Sequence, residues 1–577
     1  MKSNVEFQAR DSNIREVLLS TDMLQVPRYQ RPYTWDTDQV SEFWDDIISS
    51  DHSPFIGSII LNYETTAKSG YIDIIDGQQR LLTITIFIAV LRDIAKSIDT
   101  KTAERYQRQD IGMEDRSGNE TYRIIAGDET KEFFGKYVQS PNGNMADAKP
   151  QTEQEKRIKK NYLFFFEKVK DELKKYANKT DQRKYLDVLR EKIANLTVIK
   201  IQIDNEDEAY EIFETTNARG VDLSVADLLK NLIFKKLPPD EDKDFAREVW
   251  EEITNNVEET NSEMKRFIRY YWISRYGLVR QKRLFREIKK EIVDYKALLE
   301  DMRNSSDLYR TIVDGGPDDF ENYKSGPKIF KSIQGIRIMN VSQCHVILMA
   351  ILNNIDKLGT DPARIFELIE KFTFQYSVVC KLPTNKLERI YGRYAALLEE
   401  ALKKEDAKRL PGRINSVFSE LENELKKEAP SPEHFRSEFS GLAYKNSEQN
   451  RKLIKYILAK IDTHYRTTKE ETIDFDNVNV EHLLPQTPDK AWGLLKRDIK
   501  DYVNKLGNLT LIDKRINSTV GNKLIKDKIG VLSQSSLPMN KVLIENLVSS
   551  KYTWDRESIN KRQEELAKIA CDDVWKL

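Results

Sequence analysis

The spacing of apolar residues changes along the chain, and each change predicts a different kind of element. From Phe55 to Ile75, two runs of strand length, Phe55–Leu61 and Tyr71–Ile75, are separated by polar turns. They lead into a longer apolar run, Gln79 to Ile98, which predicts a helix. The pattern then repeats: Leu196–Ile203 predicts a strand, and Glu206–Phe213 and Ser224–Lys235 predict helices around a loop centred on Asn217–Gly220. A basic helical stretch around Glu153–Asn178 interrupts this unit. Residues 1–236 therefore predict a mixed α/β domain.

Lys236-Leu-Pro-Pro-Asp-Glu-Asp ends it, because consecutive prolines stop a helix and the acidic run is solvated. From 244 to 468 the apolar residues fall three and four apart, the mark of amphipathic helices, with breaks near Gly315-Gly-Pro, Gly359 and Ala429-Pro-Ser-Pro. The last stretch, 469–577, returns to short strand-like runs followed by helix. The fold class expected is α+β and mostly helical: an N-terminal α/β domain, a helical middle domain and a C-terminal domain with a strand–strand–helix core.

Composition narrows the function classes. At 577 residues the chain exceeds the ~250–300 at which single cores stop growing. The formal net charge of −1 gives no global field toward nucleic acid or an anionic membrane, so DNA affinity must come from local patches. Cys344, Cys380 and Cys571 are scattered and form no CxxC pair, which argues against a disulfide framework or a structural zinc and for a reducing cytoplasm. The first residues lack an apolar run of signal length, and threonines interrupt the longest apolar stretch, Leu81–Leu91. Export and membrane insertion are not expected.

Candidate chemistry lies at both ends. Near the C-terminus, Val478-Asn-Val-Glu-His-Leu-Leu-Pro-Gln486 is a short strand that delivers Glu481 and His482 to the mouth of a loop. In Lys505-Leu-Gly-Asn-Leu-Thr-Leu-Ile512, Gly507 permits a tight turn and Asn508 precedes a second strand; a helix carrying Asn517, Asn522 and Lys528 then follows. Strand with histidine, strand led by asparagine, helix with asparagine is the order found in the ββα-metal nucleases. Neutral imidazole takes a proton from water near pH 7, and carboxylate and amide oxygens suit one Mg²⁺, with Mn²⁺ as a substitute. This makes His482 the general base and Glu481 and Asn517 the metal ligands. Asn522 competes with Asn517, and Asn508 fixes the histidine loop. A histidine beside a glutamate is ordinarily structural; the downstream asparagines tip the balance. Lysines and arginines outnumber acids between Lys490 and Lys528, so Lys514, Arg515, Lys523 and Lys528 are candidate phosphate contacts. Glu-His-x-x-Pro-Gln followed by Leu-Gly-Asn-Leu-Thr-Leu resembles the HNH domain of GmrSD-type restriction enzymes, with Glu481 where many HNH nucleases carry aspartate.

Near the N-terminus, Val26-Pro-Arg-Tyr-Gln-Arg-Pro-Tyr-Thr-Trp35 is dense in arginine and aromatics. Trp35 and Trp44 read as core anchors, whereas Arg28 and Arg31 call for anionic partners. Asp76-Gly77-Gln78-Gln79-Arg80 lies between a strand and a helix start, where free N–H groups and the helix dipole favour phosphate. There Gly77 allows close approach, Arg80 can grip a phosphate, and Gln79 can orient a water. A turn with a helix cap explains the same residues, and no Walker-type loop exists in the chain. Together with Asn161-Tyr162 and Phe213-Glu-Thr-Thr-Asn-Ala-Arg-Gly-Val-Asp-Leu-Ser-Val-Ala-Asp227, this stretch resembles the ParB-like DGQQR domain that precedes the HNH domain in GmrSD-type and SspE-type defence proteins.

The resemblance implies a modification-dependent restriction endonuclease in anti-phage defence. Its N-terminal domain would hydrolyse GTP or another nucleoside triphosphate and sense modified DNA, through Arg31, Asp76, Gly77, Gln78, Gln79 and Arg80; Asn217, Gly220 and Asp227 also match. The partners implied are double-stranded phage DNA carrying modified bases or phosphorothioate, a nucleoside triphosphate and a second copy of the chain as a homodimer. The competing class is a nucleotide-dependent DNA-binding regulator with a degenerate nuclease; the presence of His482, Asn508 and Asn517 together favours the enzyme.

Overall fold

In the computed structural model, the strand-length runs at the two ends of the first 203 residues meet in one six-stranded sheet. The described residues are 8–18, 22–28, 30, 32–49, 53–64, 66, 70–114, 118–203, 225–240, 243–406, 408–466, 477–515 and 521–577. The expected helix Glu206–Phe213 and the loop Asn217–Gly220 lie outside them. The described residues divide into two compact units, within 1–247 and 248–577.

In the first unit the strands are β1 (Gln8–Asn13), β2 (Leu24–Gln25), β3 (Phe55–Asn62), β4 (Ile72–Asp76), β5 (Gly112–Glu114), β6 (Glu120–Tyr122), β7 (Ile124–Ile125) and β8 (Thr197–Ile203). The large sheet runs β1-β8-β3-β4-β2-β7, and β5 and β6 form a separate hairpin. β8 runs parallel to β3 and antiparallel to β1, and β4 runs antiparallel to β3 and parallel to β2. The polar β1 shows no strand alternation in its sequence; it exists because β8 offers it an unpaired edge.

The apolar run after β4 is the helix Gln78–Ala95, buried along nearly its whole length. A helix apolar on all sides needs cover on all sides. That cover comes from the helices Thr100–Tyr106, Glu153–Leu173 and Lys179–Ala194, with Trp44 of the helix Thr37–Ser49 against Phe87. Phe87 stacks on Phe165 at 4.5 Å, with Trp44 tilted against both. The aromatic anchors are therefore core, as the pattern suggested for Trp44; Trp35 packs edge-on against Phe43 at the core's margin.

The second unit is built from helices, including Met264–Tyr276, Tyr295–Asp314, Gly326–Met339, Leu387–Lys404 and Glu448–His464. Two short strands, β9 (Val478–His482) and β10 (Leu509–Asp513), follow, and then the helix Ile525–Leu532. The expected helical stretch 244–468 and the C-terminal stretch from 469 onward share a core. Phe374 stacks on Trp575 at 4.1 Å, and Phe435, Phe439 and Tyr456 close around them beside Val478, Leu509 and Leu511. The molecule is α+β and mostly helical. No helix among the described residues is long and apolar enough to cross a membrane.

Candidate active site

β9 and β10 pair antiparallel, with His482 opposite Leu509 and Glu481 opposite Thr510. The loop leaving His482 is closed by Asn508, which is completely buried. Its Oδ1 accepts from the Leu484 N–H at 2.8 Å and from Trp554 Nε1 at 2.9 Å, and its Nδ2 donates to the carbonyls of Leu484 and Val503. Its own carbonyl accepts from the Leu483 N–H. These hydrogen bonds hold the chain on both sides of the turn. Gly507 is present for a different reason from the tight turn expected of it. Its φ is not in the left-handed range, but a Cβ there would lie 2.1 Å from the Ile559 carbonyl of the helix Arg556–Ile569. Arg562 of the same helix donates to the carbonyls of Gly507 and Leu509.

His482 is held on two sides. Its Nε2 lies 3.2 Å from Asn504 Oδ1, and the Tyr444 ring packs T-shaped against it, with centroids 5.0 Å apart and the planes at 85°. Burial pushes the imidazole down to about 4, helped by the Lys528 charge and opposed by the Asn504 hydrogen bond, so it is neutral at physiological pH.

Glu481 has an internal cation. Lys528 Nζ lies 2.6 Å from Glu481 Oε1 and 2.7 Å from the His482 carbonyl, with its side chain fully buried. Burial raises the Glu481 carboxyl and lowers the Lys528 ammonium, and each partner offsets the other's shift. This corrects the assignment of Lys528 to DNA: an ammonium without solvent exposure and with two protein acceptors is not a surface phosphate contact. Lys514, Arg515 and Lys523 are exposed, as are Lys490, Lys496, Arg497, Lys500 and Lys526; Lys505 is spent on Asn560.

The helix expected to carry Asn517, Asn522 and Lys528 begins only at Ile525. Asn522 sits instead in the exposed turn before it, where its carbonyl accepts from Trp492 Nε1. Asn517 lies outside the described residues. Of the expected metal ligands, Glu481 keeps one oxygen, Oε2, without a hydrogen-bond partner among the described residues, which a hard divalent ion could take. No group of three His, Cys, Asp or Glu that could hold a metal occurs among the described residues.

In the first unit, Gly77 has φ +90 and caps the helix Gln78–Ala95 without a side-chain hydrogen bond. A Cβ at Gly77 would meet Ile59 Cγ1 at 2.9 Å, so glycine is required both for the conformation and for the close approach. The flanking side chains are committed internally. Gln79 accepts from the Thr34 N–H and donates to the Pro32 carbonyl, which pins the arginine- and aromatic-rich loop to the helix start. This corrects its role as a water-orienting group, because both ends of the amide are taken. Arg80 donates to the Ile56 carbonyl at 2.6 Å and pairs with Asp76 at 3.4 Å, over Gly57, where a Cβ would lie 2.2 Å from its Nη1. A carboxylate and a carbonyl thus stand where a phosphate was expected. Gln78 is buried. Arg28 finds its anion in Asp244 at 3.3 Å and also caps the carbonyls of Phe234 and Leu237 at the end of the helix Val225–Lys236, which carries Asp227. Arg31, Asn217 and Gly220 lie outside the described residues.

Sequence reasoning missed Asn504, Tyr444 and the pairing of Lys528. Asn504 directly precedes the Lys505-Leu-Gly-Asn run, but a partner 22 residues from His482 carries no spacing signal.

A family model described as GmrSD restriction endonuclease, N-terminal domain, matches residues 11–234, and one described as GmrSD restriction endonucleases, C-terminal domain, matches residues 429–569. Together they span more than half of the chain. No curated protein matches it.

Proposed function

Because the chain belongs to the GmrSD restriction endonuclease family and carries both of its domains, we propose that it is an HNH-type nuclease that cuts modified phage DNA, with His482 as the general base. The observation that carries this reading is the histidine at the strand end, neutral and clamped by Tyr444 and Asn504, preceded in the strand by Glu481, whose Oε2 has no hydrogen-bond partner among the described residues. His482 takes the proton of the attacking water. Being neutral at pH 7, it is in the state a base requires, and an anionic phosphodiester alongside raises its basicity. Asn508 holds the loop so that the imidazole does not swing away as substrate enters. Glu481, with Asn517 or Asn522, would hold Mg²⁺ or Mn²⁺, which when bound neutralises charge on the scissile phosphate. Lys514, Arg515 and Lys523 meet neighbouring phosphates without reading sequence.

The N-terminal domain uses GTP or another nucleoside triphosphate to license cutting. Its support is narrower: the start of a long helix at Gln78 whose cap residue, Gly77, makes no side-chain hydrogen bond to it, with Asp76 and Arg80 alongside. A phosphate there must take Arg80 from Asp76, so nucleotide binding and the release of that ion pair are one event. The test compares nicking of modified and unmodified plasmid with Mg²⁺, with and without GTP, for the wild type and His482→Ala. Cutting by the wild type alone supports the reading; equal cutting by both proteins removes it.

A further inference from the structure

The histidine is held by more than its loop. Asn504 Oδ1 lies 3.2 Å from His482 Nε2 and also accepts from Gln486 Nε2 at 2.7 Å. The Asn504 carbonyl accepts from the Tyr444 N–H at 2.8 Å, so the residue that presents the amide also anchors the ring packed against the histidine. The pairing of Ala443 with Lys505 extends this anchorage by one residue. His482 Nδ1 has no hydrogen-bond partner among the described residues.

We propose that Asn504, itself oriented by Gln486, is a positioning residue that fixes His482 as the Nε2–H tautomer and leaves the Nδ1 lone pair to accept the proton. The inference rests on His482 being the general base and names the residue that makes it one. A carbonyl oxygen can only accept, so the nitrogen facing Asn504 Oδ1 must carry the hydrogen. In a neutral imidazole the other nitrogen is then the acceptor, and the hydrogen bond at one nitrogen sets the role of the other. Gln486 points its amide N–H groups at the same oxygen, which holds the Asn504 amide in the orientation that accepts. Tyr444, T-shaped against the ring, opposes rotation about the Cβ–Cγ bond, which would put Cε1 in the place of Nε2 and Cδ2 in the place of Nδ1.

The chain has five histidines, so two-bond ¹H–¹⁵N correlation spectra of the full protein labelled at histidine can resolve each ring, with His482→Gln identifying the relevant signal. The expected result is protonated Nε2 and unprotonated Nδ1 at His482 in the wild type and in Asn504→Asp, and a mixture of tautomers in Asn504→Leu. In parallel, kcat for plasmid nicking falls at least tenfold in Asn504→Leu with KM little changed, toward the ~10⁴-fold that a wrong tautomer costs a triad histidine. Asn504→Asp, which keeps the acceptor, restores most of it. Gln486→Leu, at an exposed position, provides a second variant should Asn504→Leu not fold, and shifts the tautomer signal in the same direction. An Nδ1–H tautomer in the wild type, or unchanged tautomer and kcat in both leucine variants, overturns the proposal. Failure of the general-base reading appears separately, as nicking that survives His482→Ala while the tautomer pattern holds.

Discussion

Lys528→Met separates a buried ion pair from a surface lysine by magnitude alone. Methionine keeps the length of the side chain and removes the ammonium, leaving Glu481 mostly buried with no cation and the His482 carbonyl without its donor. A surface salt bridge is worth about 0–1 kcal/mol, whereas removing one partner of a buried pair costs about 3–5 kcal/mol, because the remaining charge stays desolvated. With Lys528 unexposed and the Glu481 side chain 15% exposed, the second range applies, and solvent screening can lower it only slightly. The assay is urea unfolding followed by tryptophan fluorescence, for which Trp492 and Trp554 pack in the small cores around β9 and β10. Lys528→Met should lower the unfolding free energy by about 3–5 kcal/mol. Adding Glu481→Gln to it should recover part of the loss, since a neutral amide is far cheaper to leave unpaired than a carboxylate. A loss below about 1 kcal/mol, with no coupling between the two substitutions, would mean that the ammonium faces solvent and that Lys528 is available to DNA after all.

Other outcomes follow from the same geometry. His482→Ala should abolish detectable nicking, a loss of ~10²–10⁴-fold, and gel assays with Mg²⁺ check it; near-wild-type cutting would remove the histidine from the chemistry. Asn508→Ala should cost several kcal/mol, about 1–3 for each buried group left without a partner among Leu484, Val503 and Trp554, read as a fall in melting temperature; an unchanged melt would contradict the hydrogen bonds described. His345 is buried between the rings of Tyr270 and Tyr309, and burial pushes it down to about 4 from 6.5. The unfolded chain therefore binds the proton first, and stability present above pH 6.5 is lost as pH falls toward 4, by about 3 kcal/mol. Urea titrations at pH 7 and pH 4 should show His345→Phe lacking that share of the loss, and identical pH dependence would place the ring in solvent. Arg80→Ala should lower the melting temperature without ligand, because Arg80 ties Asp76 to the Ile56 carbonyl, and should abolish GTP hydrolysis if Arg80 also meets phosphate. Full hydrolysis in that variant would confine Arg80 to structure.

The sequence by itself determined what depends on order and local spacing. Apolar runs of strand length predict β3, β4 and β8 to within about a residue at each end, and the longer apolar run predicts a helix over Gln79–Ile98, which the structure ends at Ala95 and buries on nearly every side. Glu481, His482 and Asn508 were legible because a strand end, a loop and a second strand succeed one another within one short stretch of chain. Only the tertiary structure decided who partners whom. β1 reads as polar coil and becomes a strand on meeting the β8 edge. Lys528 looks like its basic neighbours, and only its helix position against β9 turns it inward to Glu481. Gln79 and Arg80 looked free to meet a ligand, but the Pro32–Thr34 loop and the Ile56 carbonyl, both distant in sequence, claim them first. Asn504 reaches His482 across a loop whose closure is set by Asn508, Arg562 and the helix behind them. A side chain's hydrogen-bonding capacity is written in its residue type. Which acceptor it meets depends on packing between elements far apart in the chain, and that is settled only when the cores close.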